Sequence, residues 1–149
     1  MKRIRLVTNI ISLVLMAGYA IALAILWKGI PQTVAVHFDA AGRADAYGNK
    51  SFLLVEFLIM TGIFLVLAVT EHFPSAWNLP VKVTAANRGR LYTIEAVMLG
   101  LLKILMILLF ISTGIRSIVT GAPMWPVYLI LGLMAAVVIG GIICSIVMK

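Results

Sequence analysis

The sequence predicts an all-α integral membrane protein: a four-helix transmembrane bundle with a short structured extracytoplasmic loop between its first two helices. Three observations carry that prediction. The 149-residue chain is 63% hydrophobic and only 11% charged, with a mean hydropathy of +1.14. An ordinary water-soluble domain does not hide that much apolar surface. Four apolar runs match the ~20 residues needed to cross a ~30 Å hydrocarbon core. The polar residues gather instead in the connections, above all in "TVAVHFDAAGRADAYGNK" at 33–50. Residues 1–149 are read as a single membrane domain.

The first span is expected at 6–27, after "MKRIR". A cleaved signal peptide competes for this start. The apolar run, however, exceeds the ~7–15-residue core of such a peptide, and no polar segment directly follows "AIALA". The helix is therefore expected to stay. The second span, 52–70, is interrupted by Glu56; the third, 91–119, carries Glu95, Lys103 and Arg116; the fourth, 126–148, carries no charge. Backbone in lipid must satisfy its own hydrogen bonds, so all four should be helices.

The net charge of +7 raises the question of nucleic acid. The basic residues flank apolar runs rather than massing on one polar face, so the expected partner is the lipid bilayer. Seven of them (Lys2, Arg3, Arg5, Lys82, Arg88, Arg90, Lys149) fall on one side and four (Lys28, Arg43, Lys50, Arg116) on the other. That bias places both termini in the cytoplasm and the 33–50 loop outside. Trp27, Phe52, Trp125 and Tyr128 would mark the outer interface, with Trp77 and Tyr92 at the inner one. Cys144 is the only cysteine, which excludes an intramolecular disulfide and a thiol pair for redox or metal work; it is expected to pack among apolar neighbours.

In the outer loop, Val34, Val36 and Phe38 alternate with Ala35, His37 and Asp39, the period of an extended strand. "DAAG" reads as a turn, with Asp39 capping backbone donors and Gly42 free to take a positive φ. Asp39 and Asp45 are expected to face Arg43 and Lys50. His37, Asp39 and Asp45 are metal-ligand types, yet their spacing fits no standard signature, so no metal and no cofactor is expected. No nucleophile stands beside them, and the chain is read as non-enzymatic. Recognition of an outside peptide, lipid or protein is the favoured role. Its residues would be His37, Phe38, Asp39, Gly42, Asp45 and Lys50, with Phe38 giving apolar contact and the charges orienting a ligand.

The run from Pro31 through His37, Phe38, Gly42, Asp45 and Lys50, followed by a span, resembles a bacterial membrane domain of uncharacterised function. That domain forms the N-terminal part of SdpI-type immunity proteins, which protect a producing cell from its own secreted toxin. A second motif, "NLPVKVTAANRGRLY", matches the same pattern at Asn78, Pro80, Thr84 and Asn87; Ala86 stands where relatives often carry an acid. The resemblance covers three of the four spans. It implies a bacterial plasma-membrane protein with an immunity or toxin-response role and a possible peptide-toxin or membrane-protein partner. The immunity proteins carry a further multi-span region beyond this domain.

Ionisable residues inside a span cost at least ~2.5 kcal/mol each at the bilayer centre and so require partners. A depth difference of very roughly 10 Å, at ~1.5 Å per residue, leaves a Glu56–Lys103 pair open to a snorkelling lysine. That pair would be structural, or would carry function in a small transporter or channel subunit, the alternative reading. Glu95 is expected to be solvated near Arg88 and Arg90, and His72 to sit at the interface. Thr8 and Asn9 can bond across helices, and Asn87 can cap the third helix or bond the inner loop. The small residues Gly132, Ala136 and Gly140, with Gly18 and Ala22, are expected to serve packing within the bundle, with a homo-oligomer as the alternative.

Overall fold

A computed structural model describes residues 1–119 and 121–148. The order is α1 (Lys2–Leu26), β1 (Thr33–Phe38), β2 (Ala44–Asn49), α2 (Phe52–Thr70), α3 (Arg88–Ile118) and α4 (Trp125–Val147), with a 3-10 turn at Pro74–Ala76 before α3. All four helices are long and apolar enough to cross a membrane, and the chain is a multi-pass membrane protein. The helices overrun the predicted spans at Lys2 and Arg88. The apolar run measures the hydrocarbon crossing, whereas the hydrogen-bonded helix continues among the polar headgroups. Pro126 falls in the first turn of α4, where its missing N–H costs no helix bond.

The helices are not equal partners. α3, with 31 residues, extends for roughly 46 Å and packs against α1, α2, α4 and β1, while α4 packs chiefly on α3. The apolar core joins Met16, Tyr19 and Leu23 of α1 to Leu53, Met60 and Phe64 of α2 and to Met106 and Ile107 of α3. Outward faces carry exposed Leu6, Val14, Ile25, Leu58, Val66 and Val147, the surface that lipid requires.

Close approach uses glycines other than those in the predicted stripe. Nothing lies within 4 Å of a Cβ built on Gly18, Gly132 or Gly140, and Ala22 and Ala136 are exposed. The expectation that this stripe packs the bundle is therefore corrected. The contacts occur at Gly100 against Thr8, Gly114 against Tyr19 and Gly141 against Met98. Cys144 also turns outward rather than packing inside.

The polar residues of the spans resolve differently from the sequence reading. Lys103 does not pair with Glu56. Its ammonium lies 2.8 Å from Glu71 Oε2, donates to Asn9 Oδ1 and sits 5.8 Å from the centre of the Phe64 ring. Lys103 and Glu71 are both 0% exposed. Measured from the hairpin end, Lys103 lies roughly 22 Å down α3, Glu71 roughly 28 Å down α2, and Glu56 only roughly 6 Å down α2. A helical side chain leans toward its own N-terminus, which carries Lys103 toward Glu71 and away from Glu56. Arg5 Nη1 also donates to the Glu71 carbonyl, at 2.7 Å. Thr8 bonds back to its own helix at Ile4 and Arg5, so only Asn9 of the expected pair bridges helices.

Glu95 is likewise not solvated. It is 7% exposed and accepts from Ser145 Oγ at 3.5 Å, because this face of α3 is covered by the end of α4. Exposed His72 bonds the Ala68 carbonyl through Nδ1 at 2.8 Å, and Trp77 meets Tyr92 edge-on at 5.8 Å.

Removing one member of a fully buried ion pair leaves the other uncompensated, a loss of about 3–5 kcal/mol. Lys103→Met should therefore lower stability by about that amount in micelle unfolding. The Glu71→Gln/Lys103→Met double variant should recover most of it. Additive losses in the double variant would show that the two groups do not act as a pair.

Candidate functional site

The 33–50 loop is an antiparallel two-stranded hairpin, with Thr33 opposite Asn49 and Phe38 opposite Ala44. The predicted alternation does not persist. The register shifts on both sides of His37, and Val34 and Ala35 are buried in succession. A bulge that adds a residue to one strand breaks the two-residue period in this way. Val36 then leans over the partner strand, where a Cβ on Gly48 would meet Val36 Cγ1 at 2.9 Å.

The turn follows the sequence reading. Gly42 has φ +77°, the Asp39 and Gly42 amides donate to the Arg43 and Asp39 carbonyls, each at 2.8 Å, and the Arg43 amide donates to Asp39 Oδ1 at 2.8 Å. That Arg43 amide, helped by the Arg43 charge, holds the Asp39 carboxyl below the usual carboxylate range. The Arg43 guanidinium lies 3.4 Å from Asp39 Oδ2, as expected.

The other expected pairing changes. Asp45 meets His37 Nδ1 at 2.5 Å on the exposed face. Lys50 turns beneath the hairpin instead. It is buried, with Nζ 2.9 Å from the Trp27 carbonyl and 3.2 Å from that of Ile30. Its ammonium also stands 5.0 Å from the Trp27 ring centre. These carbonyls, at and just beyond the end of α1, are where a cation is favoured. Lys50 is thus a strut rather than a ligand contact.

Two anchors escaped the sequence reading. Arg116 donates from Nη2 to the Gly42 carbonyl at 2.6 Å, from Nη1 to the Ala122 carbonyl, and stacks 4.7 Å from the Phe38 ring centre. Tyr128 of α4 donates to the Ala40 carbonyl at 2.8 Å. Their sequence signal was a charge and an aromatic near the outer membrane boundary, which reads equally well as interfacial anchoring. The hairpin is consequently fastened to α1, α3 and α4, and runs directly into α2.

Between the hairpin and the α3–α4 connection lies an open cavity of about 540 Å³. Phe38, Gly42, Arg43, Tyr47, Arg116 and Met124 contribute to its wall. Of the predicted recognition residues, only Phe38 and Gly42 line it; His37, Asp39 and Asp45 stand outside and Lys50 below. No cluster of three His, Cys, Asp or Glu able to hold a metal occurs among the described residues.

The second sequence motif lies at the other end of the bundle. Asn78 and Pro80 are exposed in the loop. The Thr84 amide donates to Asn87 Oδ1 at 2.7 Å, the Asn87 amide to Thr84 Oγ1 at 3.3 Å, and Asn87 Nδ2 to the Lys82 carbonyl at 3.1 Å. Asn87 sits at the N-cap position of α3 without a side-chain cap bond, so of the two expected roles it takes the one that fastens the loop.

Residues 14–65 match the sequence model for a domain of unknown function, DUF1648. The match runs from mid-α1 through the hairpin into α2. It stops before the Asn78–Asn87 motif, so it is shorter than the three spans of the resemblance, and it brings no link to immunity proteins. No curated protein and no solved structure matches the chain.

Two glycines with positive φ test how tightly the turn is held. A left-handed L-residue costs about 1–2 kcal/mol. Gly121→Ala, with nothing within 4 Å of the new Cβ, should lose about that much. Gly42→Ala should lose more, because its Cβ would stand 2.9 Å from Met124 Cγ. Thermal unfolding of the two variants compares them directly; equal losses would mean that Met124 does not press on the turn.

Proposed function

We propose that the protein is a non-enzymatic recognition protein of the bacterial plasma membrane, with cytoplasmic termini and an outward hairpin that binds a peptide. The observation carrying this reading is that the hairpin is fastened by Lys50, Arg116 and Tyr128 over a mixed polar and apolar cavity. A site ordered before binding avoids the entropy loss of ordering a free loop. The ligand class follows from the sheet. Among the described residues, β2 pairs only with β1 and is largely exposed, so its other edge can accept an extended peptide as a third strand. Phe38, Tyr47 and Met124 supply apolar contact beside it, and Arg43 a positive charge. A lipid or a folded membrane partner is the competing occupant.

The resemblance to immunity proteins makes a secreted peptide toxin the first peptide to test. A sensitive bacterium expressing the chain should survive a toxin that kills the control. Tyr47→Asp and Arg43→Glu should abolish survival at unchanged membrane levels, with His37→Ala and Asp45→Ala weakening it. Survival unaffected by all four variants would overturn recognition by the hairpin. The seven-to-four bias in basic residues supports the orientation. In a Cys144→Ser background, an impermeant maleimide should label Tyr47→Cys on intact cells and reach Ala85→Cys only after the membrane is opened. The reverse pattern would invert the topology and remove the hairpin from the outside.

A further inference from the structure

Two buried acids, Glu56 and Glu95, stand without a cation among the described residues, and Glu56 is the one at the junction of three helices. Glu56 lies about one turn below the hairpin end of α2 and is 8% exposed. Among the described residues it forms no ion pair. The groups around it can be named. From α1 comes Tyr19, and from α3 come Thr113 and Gly114. One turn further along α3, Arg116 is committed to the Gly42 and Ala122 carbonyls. At the head of α2, Lys50 is committed to those of Trp27 and Ile30. An ionised, unpaired carboxylate is unfavourable at such a place.

The hydrogen-bond geometry indicates what replaces the cation. Thr113 Oγ1 lies 2.5 Å from Glu56 Oε1, 2.9 Å from the Phe110 carbonyl and 3.2 Å from the Leu109 carbonyl. A threonine hydroxyl has one proton, and here it faces three acceptors. Thr61, Thr70 and Thr93 of this chain all give that proton to the carbonyl one turn back. If Thr113 does the same, the proton between Thr113 and Glu56 must come from the acid. On the other side, Glu56 Oε2 and the Tyr19 hydroxyl are both buried without a partner. Both border the notch left by Gly114, where a Cβ would collide with the Tyr19 hydroxyl and stand 3.4 Å from Oε2.

We propose that Glu56 is a proton-binding site at the junction of α1, α2 and α3. The acid proton sits on Oε1 and is donated to Thr113 Oγ1, while Oε2 borders the Gly114 notch that the Tyr19 hydroxyl also borders. The proton is then the ligand that lets three helices close over a carboxyl group. Its loss would leave a bare charge one turn beneath the hairpin. This site is independent of what the hairpin binds.

Infrared spectroscopy of the full chain in lipid vesicles tests the assignment. The wild type should show a protonated-carboxyl C=O band that Glu56→Gln loses and Glu95→Gln keeps. Glu56→Gln should fold normally, since an amide has the shape of the neutral acid. Should it fail to fold, Thr113→Val gives the same test with the acid in place: the band should shift as its hydrogen bond to Thr113 is removed. A band unchanged in both Glu56→Gln and Thr113→Val would overturn the proposal. Loss of the wild-type band on adding sodium at fixed pH would also overturn it, by showing a metal-cation site instead.

Discussion

Lipid offers no hydrogen bonds, and this constraint organises the molecule around α3. Of the four helices, α3 carries the greatest variety of polar groups into the membrane, and four of them are answered by different neighbours. Glu95 meets Ser145 of α4, and Lys103 meets Asn9 of α1 and Glu71 after α2. Thr113 meets Glu56 of α2, and Arg116 meets the hairpin. An unanswered buried polar group costs more than the modest net gain of one hydrogen bond, so each pairing restricts the arrangement. Apolar contact alone would do less, because lipid tails compete equally well for leucine and isoleucine.

The same constraint reaches the surface through Arg116. A guanidinium near the membrane boundary has five donors in a fixed fork. Two carbonyls of the turn and of the α3–α4 connection receive two of them, and the Phe38 ring lies beside the plane. The hairpin therefore belongs to the bundle rather than floating over it. Lys50 repeats this logic at the end of α1, where a buried ammonium serves carbonyls that the helix leaves open. A fixed hairpin, a free strand edge and an adjoining cavity together support the proposed role in recognition.

Much of this was legible in the sequence. Apolar length located the spans to within a few residues, and "DAAG" predicted a turn whose Asp39 and Gly42 behave as their chemistry requires. Pairings between distant elements were harder to read. Lys103 was weighed against Glu56 alone, whereas both depth along the helices and the lean of helical side chains toward the N-terminus point to Glu71. Glu71 itself, just past an apolar run and beside His72, has the sequence context of a solvated residue. Lys50 resembles a loop charge until its burial beneath the hairpin is known. The bulge near His37 left no local mark, because tertiary packing of Val34 and Ala35 overrode the two-residue period.

The central claim is that two cations, Lys50 and above all Arg116, hold the hairpin as a fixed part of the membrane bundle. Hydrogen exchange of the β1 and β2 amides in the wild type and in Arg116→Leu tests it most directly. The account predicts protected hairpin amides in the wild type and faster exchange across both strands in the variant, with α3 and α4 unchanged. Equal protection in the two proteins would contradict it, and would leave the hairpin standing on its own strand pairing.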